Sequence, residues 1–243
     1  MELWIIRHGD PDYVHDSLTE KGVREAKLLA ERLSKYNISK IYCDKQTEYH
    51  RSQLLHNGRA QKTASYTLEK LGMQAETLPW LREFEGKVRN GLKKEQCWDR
   101  VPSYWTEIDD YYNYERWLDV PLMKKGNVKK HYQIVCDGID ELLKNHGYVK
   151  NGKIYNAVNS NHDIVLLFCH FGVESVILSR IFSTSPMITW HNFRALPTSV
   201  TRLVTEERKK GKAFMRVMRN RHSKQDFASA TRTIHATIYE HIK

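Results

Sequence analysis

The chain has few cysteines, no membrane-length apolar run and no internal repeat. Its four cysteines, Cys43, Cys97, Cys136 and Cys169, are scattered with no C-x-x-C spacing. That spacing excludes a zinc knuckle and signals no disulfide framework, so each is read as a free thiol. No apolar stretch approaches the roughly 20 residues that a spanning helix needs. No basic segment precedes the first apolar run, and Arg7 follows too soon for a secretory leader. The expected location is therefore cytoplasmic, with no membrane partner. Repeats of fixed period and low-complexity tracts are also missing, which excludes solenoid and linker readings. The net charge is +10, but its clusters at Lys124-Lys125, Lys129-Lys130, Arg208-Lys209-Lys210 and Arg219 to Lys224 form no helical stripe. They match no nucleic-acid motif, so nucleic acid is not an expected partner.

What is present is a globular pattern. With 243 residues, 40% apolar and 28% charged, the chain fits one large globular domain or two small ones. The first run, Leu3-Trp4-Ile5-Ile6, is long enough for a buried strand and too short for a helix. Ser17 and Glu20 have capping-box spacing, and Val23, Ala26, Ala30 and Leu33 follow at helical spacing to about Lys35. Ile38 to Cys43 reads as a second strand, and Asp44 to Gly58 is polar and aperiodic. Arg59 to Leu71 reads as a helix capped by Gly72, and Glu76 to Leu81 as a third strand. A long helix from Val128 stops at Gly147. Ile164 to Cys169 is apolar throughout, as a strand buried on both faces should be, and an apolar helix follows from Val173 to Phe182. Late strands cover Ser199 to Thr205 and Ala213 to Val217, and a final helix spans Phe227 to Ile242. Strands alternating with helices predict a three-layer α/β/α sandwich with a mainly parallel central sheet.

One segment stands apart. Between about Gly86 and Asn127 the chain collects Trp98, Tyr104, Trp105, Tyr111, Tyr112, Tyr114 and Trp117 among charged residues. It reads as a helical cap inserted in a single domain. Such aromatics give room for a ring-shaped ligand part, or they simply pack.

Two strand ends carry the chemistry. The first run ends in Arg7-His8-Gly9, and the strand at 164–169 ends in His170-Phe171-Gly172. If these strands are neighbours, both histidines face one crevice at the C-terminal edge of the sheet, where α/β folds bind ligands. Arginine presents a fork to phosphate oxygens, and histidine is a nucleophile near neutral pH. Arg59 opens a helix, beside backbone N–H groups that also favour anions. Arg51-Ser52 competes with it, but helical register favours Arg59. Glu83 and Glu85 follow the third strand, so a carboxyl can sit at the same edge. His15, in the loop after the first strand, and His191 are the other histidines of interest.

These segments together resemble the histidine phosphatase superfamily, which includes the phosphoglycerate mutases. The resembling pieces are Ile5-Ile6-Arg7-His8-Gly9, Leu18-Thr19-Glu20-Lys21-Gly22, Arg59-Ala60-Gln61-Lys62-Thr63-Ala64, Leu81-Arg82-Glu83 and Phe168-Cys169-His170-Phe171-Gly172, in that order. The family's Ser-Pro turn before the helix arginine is missing, as is the Gly-Trp-Glu pattern after its proton donor. The resemblance implies that His8 is a phosphorylated nucleophile and Glu83 the acid and base, with Glu85 as a rival. It implies a phosphate pocket of Arg7, Arg59 and His170, with substrate contacts at Gly9 and Gly172. It also implies no metal or cofactor.

The expected activity is hydrolysis of a small phosphomonoester through phosphohistidine. A mutase uses the same residues but wants a closed, strongly basic pocket, and the acids of the 86–127 segment (Glu95, Asp99, Glu107, Asp109, Asp110, Glu115 and Asp119) weigh against it. A non-catalytic phospho-ligand or nucleic-acid binder is the third reading. An exposed late strand leaves pairing into a homodimer open.

Overall fold

The structure is a computed structural model that describes residues 1–44 and 58–218. The N-terminal part comprises β1 (Glu2–Arg7), β2 (Pro11–Asp12), β3 (Ser17–Leu18), α1 (Glu20–Leu33), β4 (Lys40–Asp44), α2 (Arg59–Leu71) and β5 (Glu76–Leu78). The middle holds a hairpin, β6 (Lys87–Asn90) and β7 (Lys93–Gln96), then the short helices α3 (Pro102–Trp105) and α4 (Pro121–Lys124). The long helix α5 (Val128–Asn145) leads to β8 (Tyr148–Asn151), β9 (Ile154–Ala157) and β10 (Ile164–Cys169). The helices α6 (Phe171–Phe182) and α7 (Pro186–Asn192) and the strands β11 (Val200–Lys209) and β12 (Lys212–Val217) complete it.

Eight strands form one sheet in the order β5-β4-β10-β1-β11-β12-β9-β8. The first four in that order are mutually parallel, and β11, β12, β9 and β8 add on as antiparallel neighbours. The parallel part carries the histidine-bearing strand ends. Side chains of a strand alternate between faces, and both faces are covered here. Leu3 and Ile5 of β1 join Val165, Leu167 and Cys169 of β10 in a core under α5 and α6. Trp4 and Ile6 join Leu166 and Phe168 in a second core with Leu29, Leu33 and Ala64 of α1 and α2. This double burial is why both strands read as unbroken apolar runs.

The structure corrects several boundaries. Ser17 does not cap α1. It pairs in a two-residue bridge, and Thr19 is the cap, its hydroxyl accepting from the Gly22 N–H. The third strand ends at Leu78, because Pro79 removes a ladder donor and opens a single 3₁₀ turn to Leu81. The first late strand runs on to Lys209. The hairpins β6–β7 and β8–β9 are too short to leave a clear period in the sequence. The helix expected at Phe227 to Ile242 lies outside the described residues, as does Arg51.

The two ends of the 86–127 segment touch. Asn127 N–H donates to the Lys87 carbonyl at 3.3 Å, and the Asn127 side chain accepts from Lys87 N–H at 2.8 Å. Its rings divide between core and surface, with Tyr104 and Tyr112 exposed. Trp105, Tyr111 and Trp117 are buried, and Trp117 meets Tyr132 and Trp190 edge-on. Among the described residues no helix is long and apolar enough to cross a membrane.

Candidate active site

Register brings the strand ends together. Arg7 pairs with Cys169 and Phe168 with Cys43, so His8, His170 and Asp44 share one edge of the sheet. The backbone at His8 is held from several sides. His8 N–H donates to the Cys169 carbonyl at 3.1 Å, and Gly9 N–H donates to the Thr63 hydroxyl at 2.9 Å. Thr198 N–H reaches both the Arg7 and His8 carbonyls. Gly9 is required by contact: a Cβ there would lie 2.8 Å from the Gly22 carbonyl oxygen.

His8 is 2% exposed. Its Nδ1 lies 2.7 Å from its neighbour's carbonyl, on Gly9, and the Arg59 Nε lies 3.2 Å from its Nε2. A carbonyl can only accept and a guanidinium can only donate. The proton therefore sits on Nδ1, and Nε2 carries the lone pair. Burial, then the nearby His170, Arg59 and Arg7, push the imidazole far below its ordinary value of 6.5, to about 3. His8 is thus held as a neutral imidazole with its Nε2 lone pair toward Arg59.

Arg59 is the first residue of α2, with Gly58 before it offering no side-chain cap. Its Nη1 pairs with Asp16 at 2.6 Å. Asp16 has φ +45°, a left-handed conformation that a short polar side chain tolerates. His170 lies with its ring centroid 5.2 Å from that of His8. Its Nε2 is 2.8 Å from an Asp44 carboxylate oxygen. Arg7 sends Nη1 to the Ala195 carbonyl.

The two candidate acids differ. Glu85 is half-exposed and paired with Arg82 at 2.6 Å. Glu83 accepts from Phe84 N–H at 2.8 Å and turns toward the start of α6. A Cβ on Gly172 would lie 2.6 Å from the Glu83 Oε1 and 3.2 Å from the Trp98 Nε1. Gly172 therefore leaves the space that Glu83 fills.

An open cavity of about 420 Å³ covers this edge; its walls include Asp16, Asp44, Arg59, Glu83, Glu85 and His170. Lys87, Asn127 and His131 line it as well. His8 is buried behind this wall, in contact with Arg59 and His170, and does not itself line the cavity. Arg7, Gly9 and Gly172 do not line the cavity. His15 lies outside it as well, paired with Asp12 at 2.7 Å on the surface. His191 is stacked on Trp105 and bonded to the Met187 carbonyl, a packing role.

Three acidic residues at this edge were not singled out in the sequence. Asp16 and Asp44 sit in stretches that read as solvated loop. Glu174 lies on α6, 3% exposed, where burial pushes its carboxyl up to about 7 despite a hydrogen bond from Thr201. An acid inside an apolar helix was the available signal for Glu174, because unpaired buried carboxylates are rare.

A family model of the histidine phosphatase superfamily (branch 1) matches residues 3–146. The chain belongs to that superfamily. Solved structures of this fold lie along nearly its whole length. A mycobacterial glucosyl-3-phosphoglycerate phosphatase is 16% identical, covers 89% of this chain and 96% of its own, and superposes with a TM-score of 0.56. The alpha-ribazole phosphatase of Shigella flexneri is 21% identical, with 91% and 97% covered and a TM-score of 0.54. A phosphoserine phosphatase from Entamoeba histolytica, solved as a mutant with phosphoserine, is 16% identical, with 90% and 95% covered and a TM-score of 0.53. No curated protein sequence matches the chain.

Proposed function

We propose that this chain hydrolyses a small phosphomonoester through a phosphohistidine on His8. The observation that carries the reading is the tautomer of His8. Nδ1–H is spent on the Gly9 carbonyl, and the Nε2 lone pair faces Arg59 at 3.2 Å. The guanidinium that steers this lone pair can also hold the phosphoryl oxygens.

In the first step Nε2 attacks phosphorus and the bond from phosphorus to the ester oxygen breaks. Glu83 gives its proton to that departing oxygen. Arg59 and His170 balance the charge on the equatorial oxygens, and Arg7 supports the same pocket. In the second step Glu83 takes a proton from water. The water oxygen bonds to phosphorus, and His8 leaves with inorganic phosphate released. Glu83 is preferred to Glu85 because Glu85 is already tied to Arg82.

Hydrolysis is preferred to a mutase reaction. A bisphosphorylated intermediate needs an excess of cations around it. Here the cavity also holds Asp16, Asp44, Glu83 and Glu85, and two of them pair with Arg59 and His170. The superposed structures named above are phosphatases, which supports the same choice.

Release of phosphate from a panel of phosphomonoesters, in EDTA, tests the reading. Wild-type protein should release phosphate from at least one ester, and His8→Ala should release none while keeping its fold. Equal release by both proteins would overturn it.

A further inference from the structure

The Asp44 carboxylate is the unexplained group of this site. It is 7% exposed and ends β4, one strand away from His170 in the sheet. A carboxylate beside a phosphate pocket repels the ligand, so its presence needs a reason. Structural carboxylates usually gather several donors. Among the described residues Asp44 has one: Oδ2 meets the His170 Nε2 at 2.8 Å, and Oδ1 has no partner. Gln61 bonds to the Asp44 backbone carbonyl, not to the carboxylate.

The other half of the pair is also incomplete. Among the described residues the His170 Nδ1 is buried with no partner. A carboxylate accepts, so Nε2 carries a proton. That leaves Nδ1 as the only ring nitrogen able to meet a phosphoryl oxygen. A neutral ring would then point a lone pair at an anion. Only a ring protonated on both nitrogens donates there, and such a ring also makes a charge-assisted hydrogen bond to the Asp44 carboxylate at 2.8 Å.

We propose that Asp44 is a positioning residue that commits His170 to act as a charged donor, through Nδ1–H, to the phosphoryl group. The surrounding groups are consistent with this role. His8 faces the ring from β1 as a neutral imidazole, Arg59 shares the cavity wall from α2, and Glu83 shares it from the loop after β5. Arg59 has its own carboxylate in Asp16. Asp44 is therefore the counter-charge left to His170. Arg59 and His170 are thus each held in place by an acid before the ligand arrives. The proposal rests on the phosphatase reading only for the identity of the anion.

The test is Asp44→Asn, which keeps the shape and removes the charge, alone and combined with His170→Asn. Circular dichroism and thermal melts establish that each variant folds. In the otherwise wild-type chain, Asp44→Asn should lower kcat/KM about ten- to a hundred-fold, the size of losses seen when the partner of a functional histidine is removed. In the His170→Asn background the same change should cost less than about twofold, because the two residues act as a unit. Equal losses in both backgrounds, or a single variant within twofold of wild type, would overturn the proposal. If no ester is turned over, inorganic phosphate is titrated into the full chain while the His170 ring nitrogens are followed by NMR. A phosphate-induced shift at Nδ1 in wild type that is lost in Asp44→Asn supports the proposal. Identical titrations, or no phosphate response at His170, contradict it.

Discussion

The Arg59 guanidinium donates from Nε to the Nε2 of His8 across 3.2 Å, and its Nη1 simultaneously holds Asp16 at 2.6 Å. One side chain thus sets the direction of the proposed nucleophile and is itself tethered. Lysine has the charge but not the fork, and cannot make both contacts in this geometry. Arg59→Lys should lower kcat/KM about a hundredfold or more, the cost of losing a preorganised donor at developing charge. The pair with Asp16 is partly exposed, so stability should change by less than about 1 kcal/mol. Steady-state kinetics and a urea melt measure the two effects separately.

The two carboxylates near the cavity separate by substrate. A general acid matters most when the departing oxygen is basic. Glu83→Gln should therefore cut turnover of alkyl phosphates about a hundredfold or more, and turnover of p-nitrophenyl phosphate much less. Glu85→Gln should leave both within about twofold, since it loses only a surface pair with Arg82. The opposite pattern would move the acid to Glu85.

Gly172 tests the space that Glu83 occupies. A methyl group there would sit 2.6 Å from the Glu83 Oε1, at the end of a side chain that can move aside. Gly172→Ala should fold. It should lose activity on alkyl phosphates in the same ratio to p-nitrophenyl phosphate as Glu83→Gln does. A Gly172→Ala protein with unchanged ratios would show that Glu83 does not act from this position.

Acid should weaken the fold before it protonates the nucleophile. His8 is pushed to about 3 from an ordinary 6.5, chiefly by burial. Burial also lowers His131, His146 and His191. In each case the unfolded chain takes up the proton first. As pH falls below about 6.5, the unfolded state gains protons that the native state refuses, and stability drops. For His8 the loss continues down to about 3, at up to about 1.4 kcal/mol per pH unit. Glu174, pushed up to about 7 by burial, works the other way as pH falls from about 7 to 4.5, because there the native state takes up the proton first. Chemical denaturation of wild type and His8→Asn between pH 7 and 4 isolates the His8 part: the gap between the two stability profiles should change in the direction of His8→Asn losing less as pH falls.

Much of this was legible because the strands that carry the site are buried on both faces. Leu3 to Ile6 and Ile164 to Cys169 had to be apolar throughout, and an arginine or histidine at their ends stood out against that background. The helix starting at Arg59 was legible from its own period and from Gly72, which adopts φ +64° as a helix stop requires. The edge acids were not. Asp44 looks like the first residue of a polar loop, and its meaning comes from the register that sets Cys43 beside Phe168 and so puts Asp44 next to His170. Nothing local in the sequence encodes that pairing. The aromatic segment was ambiguous in a different way. Its rings left ligand recognition and packing open; Tyr111 and Trp117 are fully buried, as packing requires, and Lys87, Asn127 and His131 line the cavity at the histidine edge.

Trapping the phosphoenzyme tests the central claim most directly. The protein is mixed with a phosphorus-labelled substrate in EDTA, quenched within milliseconds in base, and digested for peptide mapping. The account predicts a label that survives base, is lost in acid, maps to the peptide containing His8 and is missing from His8→Ala. A label on another residue, or full turnover with no label in a burst experiment, would contradict it.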